Sequence, residues 1–88
     1  MELGGDDVVY AFWDRERRLL KIGTTTSLER RQAELEAALG RPLALVAALP
    51  GGRREELALH RRFAAYRCQG EWFHPVRELE SWVGCALA

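Results

Sequence analysis

Short apolar runs alternate with charged segments near the start of the chain, a pattern typical of an antiparallel hairpin. The runs VVYAFW (8–13) and LLKIGTT (19–25) are rich in β-branched and aromatic residues, and they flank the charged segment DRERR. Successive side chains of a strand point to opposite faces. With an even-length loop, Tyr10 and Lys21 are therefore predicted to share a face, opposite or diagonal to each other.

A capped helix is predicted after this hairpin, over residues 27–39. Thr26 and Glu29 fit a capping box, and Gly40 supplies the stop signal. The start of a helix also favours an anion, because its first N–H groups lack partners within the helix.

The next segment, LALVAALP (43–50), is a short apolar run ended by a proline and a glycine pair. It predicts a third, well-buried strand.

The rest of the chain predicts two more helices. Residues 53–66 form the first of them, and CQGEWFHP reads as a turn with a brief extended piece. Pro75 opens a short last helix that carries Val76, Leu79 and Val83 on one face. The order β-β-α-β-α-α predicts a single α+β domain over residues 1–88, with helices flanking a three-stranded, mostly antiparallel sheet.

Charge is balanced over the whole chain but unevenly distributed along it. The 13 basic and 13 acidic side chains give a net charge of zero, which argues against binding of nucleic acid by bulk positive charge. Residues 15–31 nevertheless hold six basic groups against two acidic ones, and residues 53–67 hold five against two. If the fold brings these segments together, they form a local field that attracts phosphate; otherwise they are solvated helix and turn positions.

Targeting and cysteine patterns point to a cytoplasmic protein. No apolar stretch reaches the length of a membrane span, and the first residues lack the basic and apolar regions of a signal peptide. Cys68 and Cys85 lie far apart in the sequence, without the close pairs of a zinc or redox motif. They are predicted to be reduced, partly buried thiols rather than a disulfide.

Four segments taken together resemble a known family. VVYAF, LKIGTTTSLERR, EELALHRRF and GEWF are similar in order and spacing to motifs of the GIY-YIG nuclease superfamily, most closely its small phage and bacterial branch. The resemblance covers about residues 8–73, with Tyr10 in the first motif and Lys21 at the position of the second motif's tyrosine. It implies a GIY-YIG-like fold and a metal-dependent DNA endonuclease that hydrolyses phosphodiester bonds with one Mg²⁺ or Mn²⁺ ion.

The resemblance also implies roles for residues of the hairpin and the first helix. Tyr10 would activate water, which requires a nearby cation to lower its pKa, and Lys21 is that cation in this interpretation. Arg31 would be the catalytic arginine, offering a planar fork to phosphate oxygens, and Arg30 would contact the DNA backbone. A one-residue shift in register would exchange these two arginines. The structural alternatives are a half-buried strand tyrosine and a lysine whose head reaches solvent.

The second helix and the GEWF turn supply the remaining candidates. Glu56 is the expected metal ligand, with Glu71 as second choice, since Mg²⁺ is commonly held by one or two carboxylates. His60, one turn after Glu56, could contact phosphate, assist the leaving group or orient the metal site. Arg61 and Arg62 are expected to bind nucleic acid.

Each of these candidates has a structural alternative. Glu56 could instead pair with Arg53 or Arg61, and His60 could be a satisfied buried histidine. Glu71 could cap a helix or pair with Arg67.

Three functions remain open from sequence. The first is the endonuclease, and the second is a catalytically weak or inactive DNA-binding module of the same fold. The third is a scaffold in which Trp72 and Phe73 serve only the core. The resemblance implies DNA bound through its phosphate backbone, with no membrane. Nuclease domains of this superfamily usually work as dimers or beside a specificity domain, so a chain of this size acting alone would be weakly specific, structure-selective, a homodimer or helped by a separate specificity partner.

Overall fold

The computed structural model describes residues 7–75 together with Arg77 and Ser81, and within residues 7–75 the chain folds into five strands and two α-helices. A 3₁₀ turn, Ala64–Tyr66, follows the second helix. In chain order the elements are β1 (Val8–Asp14), β2 (Leu19–Thr25), α1 (Leu28–Leu39), β3 (Ala44–Pro50), α2 (Arg53–Arg62), β4 (Arg67–Gln69) and β5 (Trp72–Phe73).

All five strands join one antiparallel sheet in the order β3-β1-β2-β5-β4. The α+β class is confirmed, but the prediction of three strands is wrong. The segment predicted as a turn with a brief extended piece forms a second hairpin, β4-β5, which extends the sheet beyond β2. Gly70, with a φ of 57°, adopts the left-handed conformation that this tight turn requires.

The first helix lies close to its predicted bounds, but its cap is different. Ser27, not Thr26, is the N-cap, and its hydroxyl accepts a hydrogen bond from the Arg30 N–H at 3.4 Å. The Thr25 hydroxyl accepts from the Ser27 N–H at 3.1 Å and so fixes the turn one residue later than predicted. Gly40 ends the helix as expected, in the left-handed region.

The burial of β3, the end of α2 and the exposure of Cys68 also differ from the prediction. Strand β3 is an edge strand paired only with β1, and Leu45 and Leu49 are 43% and 44% exposed, so the prediction of a well-buried strand is wrong. Helix α2 ends at Arg62 instead of residue 66, because the chain tightens into the 3₁₀ turn after the buried Phe63. Cys68 is a free and exposed thiol, not a partly buried one.

Part of the prediction falls outside the described residues. This applies to Val76, Leu79 and Val83 of the last predicted helix, and to Cys85. Among the helices of the described part of the chain, none is long and apolar enough to cross a membrane.

The sheet separates two apolar layers. Val9, Ile22 and Phe73 belong to the layer against which Leu59 of α2 packs. Tyr10 and Phe12 belong to the other layer, which packs against α1 through a set of leucines: Leu28, Leu35 and Leu39. Neighbouring side chains of β1 therefore face opposite helices.

Candidate functional site

The β1-β2 register places Tyr10 and Lys21 diagonal to each other on one face, as predicted. Tyr10 lies opposite Gly23, and Phe12 lies opposite Lys21. A β-carbon at Gly23 would be only 2.5 Å from the Tyr10 hydroxyl oxygen. The phenol therefore lies directly over Gly23, and this arrangement depends on the missing side chain.

Arg31, and not Lys21, is the cation that contacts the Tyr10 hydroxyl. The first turn of α1 brings the Arg31 Nε within 3.3 Å of the phenol oxygen, to which it donates. Burial raises the pKa of Tyr10, and Arg31 opposes this effect without reversing it. The expectation that Lys21 lowers the pKa of Tyr10 is thus wrong for the free protein, because the phenol is almost fully buried and Lys21 has a different partner.

Lys21 forms an ion pair with Glu71, from the turn between β4 and β5. Its Nζ lies 3.1 Å from Glu71 Oε1 and 5.4 Å from the centre of the Trp72 ring. The Ile22 N–H donates to the Glu71 carbonyl at 3.0 Å, so the backbone of this turn is attached to β2. Glu71 therefore reaches the candidate site from the edge of the sheet, and it pairs with Lys21 instead of the Arg67 or helix cap considered from sequence.

Glu56 lies on α2 and is buried, with 6% exposure. The Thr24 hydroxyl donates to Glu56 Oε1 at 3.4 Å, and His60 Nε2 lies 3.9 Å from Oε2. The Glu71 carboxyl is the second acid in the neighbourhood of Glu56. Burial, followed by the negative charge of Glu71, raises the pKa of Glu56. The partners of Glu56 are thus Thr24, His60 and Glu71 rather than the arginines proposed from sequence.

Both ring nitrogens of His60 contact protein atoms. Because a carbonyl oxygen only accepts, His60 Nε2 donates to the Ile22 carbonyl at 3.0 Å. Because a guanidinium only donates, Arg67 donates to His60 Nδ1 at 3.4 Å. This histidine joins α2 to the β2 backbone beside Gly23, which is the geometry of a satisfied buried histidine.

The remaining arginine candidates lie outside this cluster. Arg30 is exposed on α1, and Arg61 and Arg62 are exposed on α2. Arg62 places its guanidinium 4.9 Å from the centre of the Phe63 ring. These three side chains lie at the surface, on two helices that pack against different layers of the sheet.

Sequence reasoning missed two polar contributors to the site, Thr24 and Arg67. Thr24 was not singled out as a site residue, and Arg67 entered only as an alternative partner for Glu71. Alternation along β2 is the signal that could have found Thr24, because it faces α2 whenever Gly23 faces Tyr10. Arg67 carried no such signal, since its place depends on the short strand β4.

Glu56 and Glu71 fit a hard divalent cation by the chemistry of their donors. Two neighbouring carboxylates, one of them buried, are stabilised by a cation that both can share. Within residues 7–75, no group of three or more His, Cys, Asp or Glu side chains has metal-binding geometry. Mg²⁺ commonly takes one or two protein carboxylates and completes its shell with water and phosphate, so a pair of carboxylates has the donor chemistry that this ion uses.

Comparison with known proteins gives a family but no individual relative. No curated protein and no solved structure matches the sequence. The model of the T5orf172 domain matches residues 7–87, which include every residue of the cluster around Gly23. The chain therefore belongs to the T5orf172 domain family, a phage-associated group related to nuclease-like folds.

Proposed function

We propose that this chain is a GIY-YIG-type endonuclease domain that binds DNA and hydrolyses its phosphodiester bonds with a divalent metal ion. The observation that carries the proposal is the meeting of two pairs beside Gly23, namely Tyr10 with Arg31 and Glu56 with Glu71. Membership of a nuclease-like family supports the same chemistry. A phosphate needs a cation and hydrogen-bond donors, and an attacking water needs an oriented partner.

Arg31 is proposed to hold the reacting phosphate. Its side chain is 38% exposed, so it reaches solvent while its Nε stays on Tyr10. A guanidinium has five N–H donors, and the contacts to Tyr10 and Glu34 leave others for phosphate oxygens. This geometry would stabilise the charge that builds at phosphorus during attack.

Tyr10 is proposed to orient the attacking water as a neutral phenol. Its pKa is raised by burial, so it carries its proton over the physiological range in the free protein. A neutral phenol both donates and accepts hydrogen bonds, which suits a group that positions water. Arg31 holds the phenol oxygen in place through the bond from Nε.

Glu56 and Glu71 are proposed to hold Mg²⁺ or Mn²⁺, and His60 to position them. When bound, such an ion supplies charge stabilisation to the oxygens of the phosphate. His60 acts through Ile22, because its bond to that carbonyl fixes α2, and hence Glu56, against β2. Arg30, Arg61 and Arg62 would contact the DNA backbone.

Plasmid nicking with Mg²⁺ or Mn²⁺ tests this proposal. The wild-type chain is expected to convert supercoiled plasmid to nicked circles, and Glu56→Gln and Tyr10→Phe are expected to lose at least about 100-fold in rate. Glu55→Gln and Tyr66→Phe are the matched controls, since they remove the same chemical groups elsewhere, and they should cut normally. Wild-type protein that is folded but never cuts supercoiled, linear or single-stranded DNA with either metal would refute the proposal.

A DNA-binding module without turnover is the second candidate function. The observation that favours it concerns the tyrosine and the lysine that were expected to activate water. Burial raises the pKa of Tyr10, and the positive charge of Lys21 is paired with the Glu71 carboxylate. It predicts salt-sensitive binding to labelled duplex, weakened by Arg31→Met and unaffected by Glu56→Gln. Such a domain would be expected to work as a homodimer or beside a separate specificity partner.

A further inference from the structure

The Lys21–Glu71 ion pair lies where the proposed metal ligands meet. Lys21 is mostly buried, with 12% of its side chain exposed, and its ammonium lies against the Trp72 ring. The Glu71 backbone is attached to β2 through the Ile22 N–H. The two charged groups are therefore held together by the sheet itself, unlike a surface ion pair between two long free side chains.

Glu71 has a cation on one side and a carboxylate on the other. Its Oε1 accepts from Lys21 Nζ and lies 3.3 Å from the point where a β-carbon of Gly23 would be. Its carboxyl also approaches Glu56 on the α2 side of the sheet. One ammonium thus contacts one of two neighbouring carboxylates, of which Glu56 is buried and Glu71 is 40% exposed, so the two acids carry more negative charge than Lys21 balances.

We propose that Lys21 and a divalent cation compete for the Glu71 carboxylate, so that metal binding at Glu56 and Glu71 releases the Lys21 ammonium. This inference rests on the metal site of the proposed function. A doubly charged ion and an ammonium on the same carboxylate repel each other, and the 12% exposure of Lys21 limits how far water screens that repulsion. Lys21 therefore acts as an internal counter-ion of the metal-free protein, and its release adds a positive charge next to Tyr10 and Arg31.

Isothermal titration of Mg²⁺ and Mn²⁺ into the chain without DNA tests the competition. Lys21→Met is expected to bind metal about fivefold more tightly than wild type, the equivalent of about 1 kcal/mol. Arg31→Met is the matched control, because it removes a neighbouring positive charge that contacts neither carboxylate, and its effect should be smaller. Glu71→Gln should weaken binding, and in that background Lys21→Met should no longer strengthen it.

The outcomes separate this inference from the proposed function. If Glu56→Gln abolishes metal binding but Lys21→Met behaves like Arg31→Met, the competition is refuted and the metal site stands. If neither wild type nor Lys21→Met binds metal, both proposals are refuted. The Lys21 ammonium resonance of wild-type protein gives a second measurement without substitution: it should shift on titration with Mg²⁺, and an unchanged resonance at metal saturation would contradict release.

Discussion

Replacing Glu56 with glutamine is expected to stabilise the metal-free protein at neutral pH, although it removes the proposed metal ligand. Glu56 is buried beside Glu71, and burial is the largest cause of its raised pKa. A carboxyl whose pKa is higher in the folded than in the unfolded state favours folding when protonated. This stability is fully present below the unfolded pKa, about 4.3 for glutamate, and is lost as the pH rises through the folded pKa.

The size of the expected gain in stability of Glu56→Gln depends on the groups that surround the Glu56 carboxylate. The Thr24 hydroxyl and His60 partly compensate its charge, and the Lys21 ammonium lies 3.1 Å from Glu71, the acid whose negative charge acts on Glu56. The net cost of the ionised group should therefore be near 1 kcal/mol, within the range of stabilising substitutions at functional sites. For a domain of this length, about 1 kcal/mol corresponds to an increase of about 4–8 °C in Tm.

Thermal unfolding followed by circular dichroism at pH 7.5 and pH 4, without metal, measures this difference. Glu56→Gln should melt above wild type at pH 7.5, and the difference should shrink at pH 4, where the wild-type carboxyl takes up its proton. Glu55→Gln is the matched control with the opposite sign, because the Gly52 N–H donates to Glu55 at 2.8 Å and lowers its pKa. A Glu56→Gln variant that melts below wild type at pH 7.5, or gains equally at both pH values, would refute the reasoning.

Substitutions at two other residues are predicted to change the stability of the fold. Asp14 is fully buried and accepts from Arg17 and Arg41, which hold its pKa far below its usual range. Asp14→Ala should lower the free energy of unfolding in urea by about 3–5 kcal/mol, and the wild-type contribution should be lost as the pH falls below about 4. Gly23→Ala should displace the Tyr10 phenol, cost about 1–3 kcal/mol in the same urea titration and abolish nicking; normal nicking would contradict the contact.

The first hairpin and the first helix could be predicted because their signals are local. Alternation along two strands of equal length fixes which side chains share a face, so the diagonal placement of Tyr10 and Lys21 followed from parity alone. Gly40 ends α1 because only a residue without a β-carbon adopts its left-handed conformation easily. The N-cap shifted by one residue because Thr25, a strand residue, bonds to Ser27.

The position of a strand in the sheet could not be predicted from its own residues. An apolar run such as ALVAALP fits a central strand or an edge strand equally well, since burial depends on what lies beside it. The β4-β5 hairpin has strands of three and two residues, too short to show a period. The contacts of the residues that this hairpin positions, including Glu71 and Arg67, could therefore not be predicted from the sequence pattern.

Glu71 lies between groups of the two faces of the sheet, and this explains why sequence reasoning paired the candidate residues wrongly. Tyr10 and Lys21 belong to the α1 face, whereas Thr24 and Glu56 belong to the α2 face. Glu71 comes from the edge of β2, so its carboxylate reaches Lys21 on one side and Glu56 on the other. Because Lys21 forms its ion pair with Glu71, the cation that contacts the Tyr10 hydroxyl is Arg31. The charge state of the whole cluster therefore depends on a residue that reaches it from a turn, and a cation bound there would act on both faces at once.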